Sequence, residues 1–407
     1  MNIIFVEPAF PANQREFVRA LHAIGANVYG VGERPFDWLD DEVRQWLTHY
    51  QQIESVTNEA ALEWAVRDAQ SKVWIDRMEA TVEAHQLPAA HVRERCGIPG
   101  VSARTTYLCR DKVAMKDALR KAGVPTAASD GVSSLDEARA FVAEHGFPVI
   151  LKPRDAAGAA GAYRVGAIAE LEQVARQCGL ADGASVAIEE FIEGHEGFYD
   201  TLTINGDIRH DFVSHYYPNV LEGMRTRWIS PQIVATNRMD EPGYDELKVM
   251  GQRVNAALGI TTAPTHMEWF YGPKGLKFSE IGCRPPGVGQ WDSYCHGNEY
   301  DLYREWALAV CHHTADQRPS RRYACGIIAL RPERDGRISG YSGKDEIFSK
   351  YGSLVVGQHF PDPGTPTQGV EAGYMANAWM RVRHEDYDGL RAILNEIGET
   401  IRVHAQS

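Results

Sequence analysis

The segment from Thr265 to Gly289 constrains the fold of this chain more than any other, because it predicts a hairpin with an unusual pair of charges. Two runs with strand-like composition, His266–Tyr271 and Leu276–Ile281, are separated by Gly-Pro-Lys-Gly, which is typical of a turn. With the lysine at the tip, Glu268 and Glu280 fall opposite each other on one face. Like charges in that position destabilise a sheet, so we expect a compensating cation.

A divalent metal ion is the expected compensation. Mg²⁺ is commonly held by one or two carboxylates together with phosphate oxygens, and Mn²⁺ accepts the same ligands. Arg284 follows Glu280 by four residues and offers a planar, permanent cation suited to phosphate or carboxylate. A Pro-Pro-Gly sequence then ends the strand. This segment therefore predicts a platform for metal and phosphate, with Glu268 and Glu280 as the metal ligands.

Composition sets the class of protein. The chain has 407 residues, enough for two or three domains, and 44% of them are hydrophobic, which is ordinary for a soluble protein. A formal net charge of −13 argues against a nucleic-acid partner. We also expect no membrane association, since no apolar run approaches the roughly 20 residues of a spanning helix. Seven cysteines without a CxxC pair, and no signal peptide, favour a cytoplasmic protein with reduced thiols.

The first hundred residues predict a small open α/β domain. Ile3–Val6, Val28–Val31 and Val73–Ile75 have the composition of short buried strands, and amphipathic helices lie between them. This alternation of strand and helix is typical of a layered α/β domain.

The next segment carries two lysines that are candidates for phosphate binding. Lys112 opens a predicted helix, whose simpler interpretation is a connector with solvated charges. The strand Phe147–Leu151 runs into Lys152, and a run of very small residues, Ala156–Ala162, follows it. Such a run lets backbone amides approach an anion, although a plain turn is the alternative. A further strand, Val186–Phe191, carries two consecutive glutamates.

The central and C-terminal parts predict more sheet structure. Asp200–Ile204 and Ile208–Ser214 flank an Asn-Gly pair, which is the strongest short hairpin signal. The segment Tyr216–Gln232 contains Arg225 and Arg227 and is either a substrate-facing loop or simple surface. Beyond residue 320, a strand, polar turns and a last helix predict a small α+β module.

Taken in order, these motifs resemble the ATP-grasp superfamily of carboxylate-activating ligases, with biotin carboxylase and the bacterial L-amino acid ligases as the nearer relatives. The resemblance covers nearly the whole chain. It implies a multidomain α/β and α+β protein with the ATP-grasp fold. The implied parts are a Rossmann-like N-terminal domain (1–105), an ATP-grasp domain (106–320) with a lid subdomain at about 125–195, and a biotin-carboxylase-like C-terminal module (321–407).

The resemblance also implies roles for individual residues. It makes Lys112 and Lys152 contacts of the nucleotide phosphates, and it makes Glu268 and Glu280 ligands of Mg²⁺. It makes Arg284 the group that steadies the transferred phosphate. The remaining implied ATP contacts lie in the lid, the hinge and the ribose site: Gly158 and Gly161, then Glu189 as the adenine contact, Glu190, Phe191 and Ile192 as hinge residues, and Glu196 as the ribose-binding acid.

The activity implied by the resemblance is an ADP-forming reaction between a carboxylate and an amine. The carboxylate would be activated by ATP as an acyl phosphate, with Lys152, Glu280 and Arg284 as the catalytic group. Small-molecule substrates are the expected partners, and a homodimer is compatible with this class. Recognition of the substrate would involve Arg284, with Arg225 and Arg227 as further candidates.

A general base for the amine could be His266 or His215, although a histidine on a strand is more often a core residue. One departure from the family pattern is that many relatives carry Glu-x-Asn-x-Arg, whereas this chain has glycine at position 282. This favours the amino-acid-ligase branch. A bicarbonate-activating enzyme, a nucleotide-binding sensor and a phosphotransferase acting on a hydroxyl remain the alternatives.

Overall fold

The computed structural model describes residues 1–155 and 161–406 of the chain. Its N-terminal part is a parallel sheet in the order β3-β2-β1-β4 with helices packed against it. The elements in chain order are β1 (Asn2–Val6), α1 (Gln14–Ala23), β2 (Asn27–Gly32), α2 (Asp41–Trp46), β3 (Leu47–Gln52), α3 (Glu59–Lys72), β4 (Arg77–Glu79), α4 (Glu83–Arg95) and α5 (Ala103–Leu108).

The predicted α/β architecture of this part is confirmed, with one strand displaced. We expected a strand at Val73–Ile75, but the chain enters the sheet a few residues later, at Arg77–Glu79. The earlier residues lead into the sheet, where Ile75 packs in the apolar core and the Asp76 carboxylate accepts a hydrogen bond from the backbone N–H of Asn2.

The segment predicted to be the lid contains a small antiparallel sheet in the order β5-β8-β6-β7, and we keep the name lid subdomain for this sheet and its helices. It is preceded by the helix that carries the first candidate lysine. The elements are α6 (Lys112–Lys121), β5 (Ser129–Val132), α7 (Leu135–His145), β6 (Val149–Pro153), β7 (Tyr163–Val165), α8 (Ile168–Gln177) and β8 (Val186–Glu190). Ser134 caps α7 by accepting a hydrogen bond from the backbone N–H of Glu137, as the sequence predicts.

A large antiparallel sheet in the order β13-β12-β9-β10-β11-β14-β17-β16 forms the body of the protein. Helices cover both of its faces, and β15 pairs with β18 in a separate ribbon. The elements are β9 (His195–Ile204), β10 (Asp207–Tyr217), α9 (Val220–Gly223), β11 (Gln232–Ala235), α10 (Asp245–Leu258), β12 (Ala263–Gly272), β13 (Gly275–Gly282), α11 (Gln290–Asn298), α12 (Leu302–His312), β14 (Ala324–Leu330), β15 (Arg337–Ser342), α13 (Lys344–Tyr351), β16 (Val355–His359), β17 (Ala378–His384), α14 (Tyr387–Thr400) and β18 (Arg402–Gln406).

The sheet crosses the boundary that the sequence predicts at residue 320. β14, β17 and β16 extend the same sheet that holds the hairpin, so the C-terminal segment is continuous with the body in hydrogen bonding. The N-terminal part is joined to the body by a shared apolar core. There, Phe17 packs its ring 5.0 Å from that of Trp306, edge to face.

Within the described residues, no helix has the length and apolar character needed to cross a membrane. The seven cysteines are free thiols, and four of them are buried.

Candidate functional site

The β12–β13 hairpin brings Glu268 and Glu280 directly opposite each other, as the sequence predicts. Gly272 pairs with Gly275 at the end of the hairpin, so only Pro273 and Lys274 form the turn. Both glutamates line a cavity of about 500 Å³ between the large sheet and the lid subdomain. The other polar groups of the site lie around this pair of carboxylates.

Lys112 and Lys152 approach this hairpin from two different elements. Their ammonium nitrogens lie 3.4 Å and 3.7 Å from Oε2 of Glu280. Lys112 is placed by the first turn of α6, where the Asp111 side chain caps the helix and accepts two hydrogen bonds of 2.9 Å from the Arg154 guanidinium. The structure therefore brings together both predicted phosphate-binding lysines and one of the predicted metal ligands.

Lys116 completes this group of charges, and sequence reasoning missed it. Its ammonium lies 2.6 Å from Oε1 of Glu189, whereas Lys152 lies 3.0 Å from Oε2 of the same carboxylate. A usable signal was present, because Lys116 follows Lys112 by four residues and so shares its face of the helix. The carboxylate of Glu189, predicted to contact adenine, is thus shared between two lysines in this structure.

The pKa values of this cluster are set by one carboxylate that lies between two ammonium groups. Burial would raise the pKa of Glu189, but Lys116 and Lys152 lower it to about 2. Burial lowers the pKa of Lys116 to about 8, because Glu189 offsets the cost of burying its charge only in part and Lys152 repels it. Burial would also lower the pKa of Lys152, but Glu189 and Glu280 raise it above its ordinary value.

The predicted hinge residues line the same cavity. Backbone hydrogen bonds fix them: the N–H of Glu190 donates to the carbonyl of Ala128 over 2.9 Å, and that of Phe191 donates to Pro148 over 3.1 Å. The Arg164 guanidinium lies 4.8 Å above the Phe191 ring. Ile192 is buried and lines the cavity, so all three predicted hinge residues lie beside it.

Glu196 lies in the same cavity as a buried acid. Its Oε2 accepts a hydrogen bond of 2.7 Å from the backbone N–H of Val220, and its own N–H donates to the Asn219 side chain over 3.1 Å. Burial, followed by the negative charge of Glu268, raises the pKa of Glu196 to about 8. A further negative charge beside Glu268 is therefore unfavourable in this cavity unless a cation is added.

His266 connects the metal-ligand candidate Glu268 to a buried aspartate. Its Nδ1 lies 2.7 Å from Asp200, and its Nε2 lies 3.7 Å from Glu268. Burial would lower the pKa of His266, but these two carboxylates raise it to about 9. In this structure His266 is placed to hold Glu268, and its role in deprotonating an amine stays a prediction.

Arg284 is held by an acid from the N-terminal domain that the sequence did not single out. Its Nε donates to Oε2 of Glu83, and its Nη1 donates to the carbonyl of Pro285 over 2.7 Å. Arg110 donates to the other oxygen of Glu83 over 2.7 Å. Glu83 and Arg284 are 201 residues apart in the chain, so only the folded topology shows that they meet.

The other predicted residues are distributed around the site. Arg225 lines the cavity and donates to the backbone carbonyl of Ala162 at the edge of the lid. Arg227 is instead paired with Asp335 over 2.7 Å, away from the cavity lining. Gly161 lines a neighbouring cleft, and Gly158 lies outside the described residues.

A magnesium ion fits the donor set of the hairpin. Among residues 1–155 and 161–406, no three His, Cys, Asp or Glu side chains are grouped as a complete metal site. Glu268 and Glu280 nevertheless supply hard carboxylate oxygens on one wall of an open cavity, which is the pattern for Mg²⁺ that completes its shell with phosphate and water.

Comparison with known proteins finds chains similar to this one. Residues 111–198 match the family described as the ATP-binding domain of the carbamoyl-phosphate synthase L chain. The chain is 27% identical over 250 residues to the L-arginine-specific L-amino acid ligase of Bacillus subtilis, covering 60% of this chain and 60% of that protein. It is also 27% identical over 221 residues to the alanine–anticapsin ligase of Bacillus subtilis strain 168, covering 47% of this chain and 44% of that protein.

Solved structures show the same fold over the whole chain. The L-amino acid ligase from Bacillus licheniformis superposes with a TM-score of 0.79 at 16% identity, covering 100% of this chain and 99% of that one. N5-carboxyaminoimidazole ribonucleotide synthetase from Thermotoga maritima gives a TM-score of 0.70 at 16% identity, covering 100% and 99%. The alignments to the sequence relatives above span about half of those proteins' lengths, whereas the fold matches end to end.

Proposed function

We propose that this chain is an ADP-forming ligase of the ATP-grasp superfamily that joins a carboxylate to an amine. The observation that carries this proposal is the convergence of Glu268, Glu280, Lys112 and Lys152 at one cavity, with Arg284 beside it. The names of the relatives support an amino acid as at least one substrate.

In this proposal, the 500 Å³ cavity holds ATP with its phosphates toward the hairpin. Lys112 and Lys152, which in the described structure rest against Glu280, would turn to the phosphate oxygens. Glu268 and Glu280 would hold Mg²⁺, which supplies positive charge between the phosphate groups. The hinge residues Glu190 to Ile192 would bind the base, and Glu196 the ribose.

The chemistry follows from these charges. An oxygen of the substrate carboxylate attacks the γ-phosphorus, and the bond from that phosphorus to ADP breaks. Lys152 and Arg284 stabilise the negative charge on the transferred phosphoryl group. The amine nitrogen then attacks the acyl carbon, phosphate leaves, and the nitrogen loses a proton. Positioning of the two substrates accounts for much of the rate, and no covalent enzyme intermediate is needed.

A substrate-pool assay tests the proposal. Purified protein, ATP and Mg²⁺ are incubated with a mixture of the proteinogenic L-amino acids, and nucleotide, phosphate and new masses are followed together. We expect ADP, inorganic phosphate and a mass equal to two substrates minus water. AMP and pyrophosphate, or a stable phosphorylated product without amine, would overturn the proposal.

A further inference from the structure

Two buried thiols contact each other next to the arginines that hold Glu83. Cys109 follows the last residue of α5 and precedes Arg110, and Cys283 follows the last residue of β13 and precedes Arg284. The two guanidinium groups bind the two oxygens of one carboxylate, that of Glu83. Each cysteine is therefore the chain neighbour of one of these two arginines.

Burial and contact define the thiols as a pair. They are hydrogen-bonded to each other and belong to one apolar core cluster. Only 3% of Cys109 and 6% of Cys283 is exposed. A narrow cavity of about 20 Å³ is lined by Cys109 and by both chain neighbours of Cys283, which are Gly282 and Arg284. The two side chains therefore meet where the end of α5 packs against the end of β13.

The pair is a dithiol in this structure. The hydrogen bond to Cys283 and burial raise the pKa of Cys109, and the negative charge of Glu83 raises it further. A thiol with a raised pKa keeps its proton at neutral pH and reacts slowly. The dithiol is therefore stable under reducing conditions, and its oxidation requires an oxidant small enough to reach it.

The narrow cavity gives a small oxidant a route to the thiols. Lys112 and Glu280 line both this cavity and the 500 Å³ cavity of the proposed nucleotide site, and Cys109 lines the narrow one. A space of about 20 Å³ accommodates a molecule close to the size of water. Hydrogen peroxide is of this class, whereas a bulky disulfide is not.

We propose that Cys109 and Cys283 form an oxidation site, at which hydrogen peroxide converts the dithiol into a disulfide that reversibly stops the enzyme. One sulfur first takes an oxygen atom from the peroxide, which gives a sulfenic acid and one water. The other sulfur then attacks the sulfenic sulfur, the S–S bond forms, and a second water leaves. Two thiols and one peroxide thus give one disulfide and two waters.

The disulfide would act on the reaction through the neighbouring arginines. A disulfide accepts a narrow range of geometries, so the backbone beside both cysteines must adjust to it. Arg110 and Arg284 are the next residues in the chain, and a small displacement of a group that stabilises the transferred phosphoryl group lowers the rate strongly. The effect on activity rests on the proposed function, whereas formation of the disulfide does not.

Peptide mapping after peroxide treatment tests the site in the unmodified protein. The folded, freshly reduced protein is treated with hydrogen peroxide, remaining thiols are alkylated, and a tryptic digest is analysed without reduction. We expect peptide 105–110, which holds Cys109, to be linked to peptide 278–304, which holds Cys283 and Cys295. Fragmentation of the linked pair should place the bond at Cys283. ADP formation in the substrate-pool assay should fall at least tenfold and return after treatment with dithiothreitol.

Alanine variants connect the bond to the loss of activity. Cys109→Ala and Cys283→Ala should each keep most of the untreated activity and lose less than twofold of it at the same peroxide dose. Cys325→Ala is the matched control, because Cys325 is also buried but has Ser293, and no thiol, as its hydrogen-bond partner. This variant should be inactivated as the unmodified enzyme is.

The possible failures are distinguishable. If peroxide modifies the less buried Cys96 or Cys178 and leaves Cys109 and Cys283 free for alkylation after denaturation, the inference is wrong. A linked protein with full activity, or equal inactivation of Cys109→Ala and the unmodified enzyme, would also overturn it. Absence of ADP with the untreated enzyme would instead overturn the proposed function, and the peptide map would still decide whether the disulfide forms.

Discussion

Lys116 and Glu189 form an ion pair, and mutating one or the other should change the free energy of unfolding by very different amounts. Glu189 is one buried carboxylate between two ammonium groups, at 2.6 Å and 3.0 Å. Lowering of its pKa to about 2 corresponds to about 3 kcal/mol in favour of the ionised form. Removing one partner of a buried pair typically costs about 3–5 kcal/mol, which agrees with this value. We therefore expect Glu189→Gln to lower the free energy of unfolding by about 3 kcal/mol.

Lys116→Met should cost far less, within about 1 kcal/mol, since Glu189 keeps Lys152 as a partner and the methionine fills a similar volume. Burial already lowers the pKa of Lys116 to about 8, which shows that its charged form gains little from this position. Urea unfolding followed by circular dichroism measures both variants, and Glu189→Gln should lower the midpoint by roughly 1 M.

The pH dependence gives an independent check on the same carboxylate. Because the folded-state pKa of Glu189 is lowered, its stabilising effect is present above its unfolded-state pKa of about 4.3 and is lost as the pH falls toward 2. The difference between the unmodified protein and Glu189→Gln should shrink across that window. Equal costs for Glu189→Gln and Lys116→Met, or a difference that does not change with pH, would refute the reasoning.

Other consequences concern the hairpin and its cations. Glu280→Gln and Lys152→Ala should keep the circular dichroism spectrum and lower ADP formation by about a hundredfold or more, because each removes charge from the phosphoryl transfer site. Near-normal turnover in both variants would contradict the site assignment. Arg284→Lys should lower kcat by roughly a hundredfold, since lysine lacks the planar fork that engages two oxygens. Gly272→Ala should lower the Tm by several degrees, because its new Cβ would lie 2.1 Å from the backbone carbonyl oxygen of Glu193, whereas Gly243→Ala, with nothing within 4 Å, should not.

The hairpin at the centre of the site could be predicted because its geometry is local. The two strands and their turn follow from the local sequence, but a two-residue turn with regular pairing would put Glu268 opposite Ser279. A register shift between Glu268 and Trp269 moves the pairing, so that Glu268 lies opposite Glu280. The Asn205-Gly206 turn is a second case: both residues adopt positive φ, 53° and 89°, as this type of hairpin turn requires.

Contacts between distant segments were beyond sequence reasoning. Glu83 opens a helix of the N-terminal domain and meets Arg284 only because two domains pack together. The sequence also did not predict that the body and the C-terminal segment share one sheet. The residue pattern of a strand is the same whether it pairs within one segment or with another. β3 went unpredicted for another reason: it is a polar edge strand, and its sequence, LTHYQQ, lacks the buried apolar pattern of its neighbours.

The histidines show how the same residue type can lie in different settings. His215 shares a strand with Tyr216, whose hydroxyl is 3.4 Å from Glu268, but alternation turns the imidazole to the opposite face. There it packs against Trp269 and contacts the Tyr244 hydroxyl over 2.9 Å. Burial lowers the pKa of His215 to about 3, so it is a neutral core residue.

Formation of an acyl phosphate is the central step of the proposed reaction, and isotope transfer measures it directly. The mixed L-amino acids, labelled with oxygen-18 in their carboxyl groups, are incubated with the protein, ATP and Mg²⁺, and the released phosphate is analysed by mass spectrometry. We predict that each phosphate formed with ADP carries one labelled oxygen, because the carboxylate oxygen that attacks the γ-phosphorus leaves with it. Turnover that produces unlabelled phosphate, or that places the label in AMP, would contradict the account.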